Sequence, residues 1–339
     1  MMPFDSVLEK PAPLDVANMR VWILHDGRIG HFNQSLGIAE GLGLKNPQVI
    51  DLKKEPLHWL WRRIAPAKAW EMPSSPYPDI LIATGWQASH ISRAIKTVSP
   101  RTFTVQMMRP SGDMGDYDVV AMPLHDCPPA RDNVVSTVGA PNRVSAERLK
   151  QEADRWETRL LECPTPRLAV LIGGPTRGFE FGVKEAQQVA DNVIKIAREK
   201  GYSLLVTASR RTGPVITEYL RNTFQKSGLP IYFWTGMDST RRDNPYLAYL
   251  ALCEAVVVTA DSISMISESC TAGKPVYVWG LERLKRKKFK TFLDILQKQR
   301  RIAPFTGDVT LRAPDYPLAD TQQVVGFIQG SLARRAGRS

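Results

Sequence analysis

The sequence predicts an α/β protein made of two Rossmann-like domains facing a cleft. Short apolar runs of strand length alternate with amphipathic helical stretches, the pattern of parallel sheets covered by helices. A proline-rich break, Pro164-Thr-Pro166, cuts the alternation into two series. At 339 residues the chain is long for one core and comfortable for two. The expected domains are 17–162 and 167–330.

In the first series, Arg20-Val-Trp-Ile-Leu24 reads as a strand. Asp26-Gly-Arg-Ile-Gly-His31 follows as a turn, and Asn33 to Gly41 as a helix with Leu36 and Ala39 on its apolar side. Asp79-Ile-Leu-Ile-Ala83 is a second strand, followed by Thr84-Gly85 and a helix through Ile95. Thr102-Phe-Thr-Val105 and Asp118-Val-Val-Ala121 complete the first sheet, and Ser145 to Leu161 is a charged helix. The second series opens with Leu168-Ala-Val-Leu-Ile172. A helix from Lys184 to Glu199 carries Val189, Val193, Ile196 and Ala197 at helical spacing. Ser203-Leu-Leu-Val206, Ile231-Tyr-Phe233, Val256-Val258 and Val276-Tyr-Val278 continue the second sheet. Between the last two, Thr259-Ala-Asp-Ser-Ile-Ser-Met-Ile-Ser-Glu268 reads as a polar turn entering a helix.

Composition excludes several classes. Hydrophobic residues make up 43% and charged residues 23%, which is globular rather than disordered. No apolar run reaches the roughly 18–20 residues needed to span a bilayer, and the N-terminus lacks the apolar core of a signal peptide. A cytoplasmic protein is expected. Cys127, Cys163, Cys253 and Cys270 are scattered without a Cys-x-x-Cys pair, and the five histidines are also dispersed. Neither a disulfide framework nor a metal site is expected, and no cofactor is implied. There is no G-x-G-x-x-G, Walker A or Tyr-x-x-x-Lys pattern, which argues against dinucleotide dehydrogenases and P-loop enzymes. Forty-five Lys and Arg against 34 Asp and Glu give +11, a balance that favours an anionic partner. No RNA- or DNA-reading motif is present, so nucleic acid is not the expected partner.

Ligands of α/β sheets bind at the carboxyl ends of strands. Three strand ends of the second series carry small, hydroxyl or cationic groups. They are Gly173-Gly174-Pro-Thr176-Arg177, Ser209-Arg210-Arg211-Thr212-Gly213 and Asp261-Ser262-Ile-Ser264. Glycines admit close backbone approach, guanidiniums neutralise phosphate, and a helix start at Ser262 adds free N–H groups. Glu268, two turns further on, suits the hydroxyls of a ribose. In the first series, Asp26 and His31 supply candidate bases for an acceptor hydroxyl, with Gly30, Asn33 and Gln34 beside them. Two basic-aromatic stretches, Lys53 to Ile64 and Leu281 to Lys290, suit an anionic membrane interface.

Four ordered motifs carry a resemblance: Trp22 to Gln34, Gly173 to Thr176, Ser209 to Gly213 and Thr259 to Glu268. Together they resemble the plant mitochondrial-fission (elongated mitochondria) family and its bacterial branch, whose members look like GT-B glycosyltransferases. The resemblance implies a GT-B arrangement with the nucleotide-sugar donor in the C-terminal domain and the acceptor in the N-terminal one. By position it puts Gly174, Thr176, Ser209, Arg210, Ser262 and Ser264 around the diphosphate and Glu268 at the ribose, while Gly173, Arg177, Arg211 and Asp261 stay donor-binding candidates on the strand-end reading above. Asp26 or His31 falls at the acceptor side as base. The function implied is transfer of a sugar from a nucleotide-sugar to a lipid-linked or lipopolysaccharide-core acceptor, by a protein peripheral to the inner membrane. The alternative is a membrane-associated adaptor that keeps the fold without turnover.

Overall fold

The structure is a computed structural model describing residues 19–53, 71–235, 243–310, 314 and 316–337. Two compact units are formed. The first holds residues up to Met122, Pro128–Ser136 and Thr321 onward; the second holds Pro123–Cys127 and Thr137–Asp320.

The first sheet contains β1 (Val21–His25), β2 (Gln48–Asp51), β3 (Ile80–Thr84), β4 (Phe103–Met107), β5 (Val119–Pro123) and β6 (Val134–Thr137). Its order is β2-β1-β3-β4-β5-β6, with parallel pairing from β2 through β5. Alternate side chains of a strand face opposite sides of a sheet. Val21, Ile23, Ile80, Ile82 and Val105 therefore pack on one face, under the helices Ile29–Gly41 and Asp320–Ala336. Trp22, Leu24, Leu81 and Ala83 pack on the other, under Ala88, Ile91 and Ile95 of the helix Gly85–Val98. Each fully buried aliphatic side chain is worth roughly 1.5–3 kcal/mol. A one-residue slip would swap the two faces, so both covered faces fix the register.

The second sheet contains β7 (Arg167–Ile172), β8 (Ser203–Ala208), β9 (Ile231–Trp234), β10 (Ala255–Thr259), β11 (Val276–Trp279) and β12 (Ile302–Pro304). Its order is β12-β11-β10-β7-β8-β9, parallel throughout. Counted from β7, this is the 3-2-1-4-5-6 order of a dinucleotide-type fold, with its reversal point between β7 and β10. In the first sheet the order reverses between β1 and β3.

The chain changes unit at 122/123, 127/128, 136/137 and 320/321, and not at the proline-rich segment near 164. Burial explains the shift. Trp156, Leu160 and Cys163, from the charged helix and the turn after it, lie in the core of the second unit. At the other end, Val324, Val325, Ile328 and Leu332 pack with Ile38, Ala39 and Leu42 of the first unit. Charge patterning along Ser145 to Leu161 hid the first of these contacts.

Candidate functional site

In the first unit the chain leaves β1 at His25 and enters a helix at Ile29, four residues before the Asn33 start read from the sequence. His31 therefore sits in the first helical turn, facing back toward the strand end. Its Nδ1 lies 2.9 Å from Asp26 Oδ2, and Asp26 Oδ1 accepts the Arg28 backbone N–H at 3.2 Å. The Asp26 side chain is 1% exposed and that of His31 15%. Burial by itself raises the Asp26 carboxyl. The hydrogen bond and charge of His31, with the N–H and charge of Arg28, outweigh burial and hold it below the ordinary carboxylate range. An ionised Asp26 accepts from the His31 tautomer protonated on Nδ1, the form in which Nε2 is the acceptor.

The reversal point of this sheet packs against His31. Gly85 follows β3 with φ +88°, and a Cβ there would stand 2.6 Å from His31 Cε1. Only glycine admits both the backbone angle and the imidazole. Ser35 and Thr84 share a buried 2.7 Å hydrogen bond that ties the helix to β3. Trp86, 45% exposed, comes next, with the His90 ring set edge-on at 4.2 Å. Gly30 and Asn33 lie half-buried in the helix, whereas Gln34 is buried within it rather than offered at a surface. Sequence reading placed Thr84 and Gly85 at the strand end without assigning them to the site, and did not name Trp86. Their signal was the strand-Thr-Gly-Trp step, which places small and aromatic groups at a strand end.

In the second unit the three expected strand ends do converge. Thr259 Oγ1 accepts the Gly173 N–H at 2.8 Å and donates to Asp261 Oδ1 at 2.6 Å. Asp261 Oδ2 accepts the Gly174 N–H at 3.1 Å and meets Arg211 Nη2 at 2.7 Å. Ser209 and Thr212 hydroxyls both donate to the Gly173 carbonyl. A Cβ on Gly173 would stand 2.2 Å from Asp261 Oδ2, and one on Gly174 2.4 Å from the Arg211 carbonyl carbon. These glycines permit close approach of protein to protein, since their N–H groups are already engaged. Burial raises the Asp261 carboxyl, and Arg211, Thr259 and Gly174 reduce that rise without cancelling it.

Ser262 caps the helix Ile263–Thr271, accepting the Met265 N–H at 3.4 Å. The first-turn N–H groups, those of Ile263 and Ser264, are the ones a helix leaves without intrahelical partners. Arg177 and Arg210 are exposed at the same strand ends, and Thr176 pairs with Phe179 to close the turn after β7. Glu268 accepts the Tyr246 hydroxyl at 2.6 Å. Burial pushes its carboxyl up to about 7, with the Tyr246 hydrogen bond working the other way. Thr212, Thr259 and Tyr246 are contributions the sequence did not single out. Thr212 and Thr259 lay inside the quoted motifs, but nothing in spacing showed their hydroxyls pointing inward.

Of the basic-aromatic stretch Lys53 to Ile64, all but Lys53 lies outside the described residues. Among the described residues no group of three or more His, Cys, Asp or Glu is placed to hold a metal ion, and no helix is long and apolar enough to cross a membrane.

Two helix-covered sheet units of these strand orders make a GT-B-like fold of two Rossmann-like units. The chain belongs to the mitochondrial fission ELM1 family, whose model matches residues 29–331. It is 30% identical over 285 residues to the mitochondrial fission protein ELM1 of Arabidopsis thaliana, a match covering 76% of this chain and 65% of that one. An uncharacterised protein of Rickettsia prowazekii is 25% identical over 93% of this chain and 99% of its own. UDP-GlcNAc 2-epimerase from Methanocaldococcus jannaschii superposes with a TM-score of 0.52 at 12% identity, covering 92% of this chain and 100% of that one, a likeness of fold.

Proposed function

We infer that the protein transfers a sugar from a nucleoside-diphosphate donor to a hydroxyl of a lipid-linked or lipopolysaccharide-core acceptor. The observation that carries this reading is the cluster at the β7/β10 reversal point, where Gly173, Gly174, Arg211 and Asp261 interlock beside the helix start at Ser262. Nucleotides bind at such reversal points in doubly wound sheets. Under this reading the Ile263 and Ser264 N–H groups, with Arg177 and Arg210, meet the diphosphate, and Glu268 takes the ribose hydroxyls. Asp261 is a brace for Arg211 and the glycine turn rather than a ligand.

The first unit contributes the base. His31 Nε2 takes the proton of the acceptor hydroxyl as that oxygen bonds to the anomeric carbon. The bond from that carbon to the diphosphate oxygen breaks, and the nucleoside diphosphate leaves with the electron pair. Asp26 holds the imidazole tautomer and balances the charge it gains. Trp86 offers a flat ring face for the acceptor sugar at the same strand ends.

The experiment is a thermal-shift screen against UDP, GDP, ADP and CMP, comparing wild type with Glu268→Gln and Arg211→Gln. A nucleotide at 100 times its dissociation constant stabilises the fold by about 2.7 kcal/mol. A shift with one nucleotide, lost in the variants, supports the donor site. Silence with all four refutes it.

The relationship to a plant protein named for mitochondrial fission favours a second reading, a non-catalytic adaptor at a membrane. Donor binding without turnover on any lipid-linked saccharide would select it.

A further inference from the structure

The helix Lys287–Lys298 of the second unit has an unusual charge arrangement. Its first turn contains no acid, its N-cap residue is Arg286, and Lys287, Lys288 and Lys290 follow. Cations repel the positive end of the helix dipole, so this placement works against the helix it belongs to. From Arg283 to Arg301 there are nine basic side chains and one acid, Asp294. That short segment carries most of the net charge of the chain.

Part of this charge is spent within the protein. Lys285 meets Glu180, Lys288 meets Asp126 at 2.6 Å, and Arg283 meets Glu185 at 3.2 Å. The buried side of the helix is fixed by Phe292, Leu293 and Leu296. Lys287, Lys290, Asp294 and Lys298 recur at helical spacing and are all exposed, so they share the outward stripe. Apolar groups flank it. The turn Leu124–Asp126 lies against the N-terminal half of the helix through the Asp126–Lys288 pair and the His125–Phe292 ring contact, and Leu124 is exposed. Beyond the far end, Arg301 donates to the Tyr316 carbonyl, and Tyr316 is exposed.

The stripe begins at the donor rim. The Lys285 N–H donates to the Gly178 carbonyl at 2.9 Å, and the Arg286 stem covers Gly178. This places the basic end of the helix beside the turn that follows β7.

We propose that the outward face of the helix Lys287–Lys298, flanked by Leu124 and Tyr316, seats the second unit on an anionic phospholipid bilayer. Basic side chains meet headgroup phosphates, and the flanking apolar groups enter the headgroup boundary. A nucleic acid would satisfy the cations but not the exposed leucine. The inference deepens the lipid-linked-acceptor reading by naming the surface that reaches the membrane, and it puts the donor rim next to the bilayer.

The test is co-sedimentation of the full chain with vesicles of phosphatidylcholine alone and of phosphatidylcholine mixed with phosphatidylglycerol. Wild type binds the mixed vesicles, and binding weakens with salt. Each basic side chain at such a surface multiplies partitioning roughly fivefold, so Lys287→Gln/Lys290→Gln/Lys298→Gln lowers it roughly a hundredfold. The control Lys184→Gln/Lys195→Gln/Lys200→Gln makes the same charge change on another exposed helix and leaves binding nearly intact. Exposed substitutions of this kind leave folding unchanged, which thermal unfolding checks.

Absence of wild-type binding, equal loss in the control, or retention in the first triple variant overturns the proposal. So does tighter binding of duplex DNA than of mixed vesicles at the same salt, abolished by the first triple variant. Nucleotide shifts measured on the same proteins separate the outcomes: vesicle binding without any nucleotide shift sinks the transferase reading and leaves this one standing.

Discussion

Asp26 and Asp261 occupy matching places in the two units, yet their surroundings give them opposite chemistry. Each follows a strand beside the point where the sheet order reverses, and their side chains are 1% and 0% exposed. Asp26 is held below the ordinary carboxylate range, because the hydrogen bond and charge of His31 outweigh burial. Asp261 is raised, because burial outweighs an arginine, a threonine hydroxyl and a backbone N–H. The partner of Asp26 is an imidazole that still reaches solvent. At Asp261 the partners are the Gly174 N–H, the Thr259 hydroxyl and Arg211, which suits the bracing role proposed for it. Burial alone therefore does not set the direction of a carboxyl's shift; the identity of the partner does.

The largest effect expected on either side of this contrast is kinetic. On the proposed function His31→Gln removes the proposed base and should lower turnover by roughly 10²–10⁴, measured as nucleoside diphosphate released, while the nucleotide thermal shift stays as in wild type. An equal loss of nucleotide binding would erase the division of labour between the units.

On the other side the largest effect is on stability. Asp261→Ala strips the Gly174 N–H and the Thr259 hydroxyl of a buried acceptor, each worth roughly 1–3 kcal/mol. Urea unfolding should show a loss of about 2–4 kcal/mol. Gly174→Ala should cost less, about 1–3 kcal/mol, because its Cβ meets Arg211 backbone that must shift. A neutral result at Gly174 would mean that the turn after β7 adapts more readily than its contacts suggest.

The smallest effects carry the sign of the comparison. A depressed carboxyl such as Asp26 stabilises the fold above the ordinary value of 3.8, and that stability is lost as pH falls through its folded value. Asp26→Asn should therefore be less stable than wild type at neutral pH, with the gap closing in acid. Asp261 behaves in reverse: wild type loses stability as pH rises from 3.8 through the raised value. Asp261→Asn should gain on wild type as pH rises. Glu268→Gln should do the same between 4.5 and about 7, the window set by its raised carboxyl. Gap-versus-pH curves from thermal unfolding that slope the same way for Asp26→Asn and Asp261→Asn would break the contrast.

Strand periodicity made most of both sheets legible in advance. The run Leu168 to Ile172 became β7, and Val256 to Val258 became the centre of β10, because buried parallel strands are continuously apolar. The short edge strands β2, β6 and β12 escaped. Gln48–Asp51 faces solvent along much of its length, so it lacks the apolar signal. The helix Ile29–Gly41 began earlier than expected because Gly30 and His31 have weak helical propensity, overridden by packing of Ile38 and Ala39 on the sheet.

The sequence by itself determined the alternating α/β pattern, the charge excess and the polar residues gathered at strand ends. Those depend on local periodicity and composition, which a linear chain displays directly. Tertiary structure alone decided which strand ends meet, that the last helix returns to the first unit, and which aspartate faces a histidine and which an arginine. These outcomes rest on contacts between residues far apart in the chain, such as Gly173 with Thr259 and Gly85 with His31, and such contacts leave no period in the sequence.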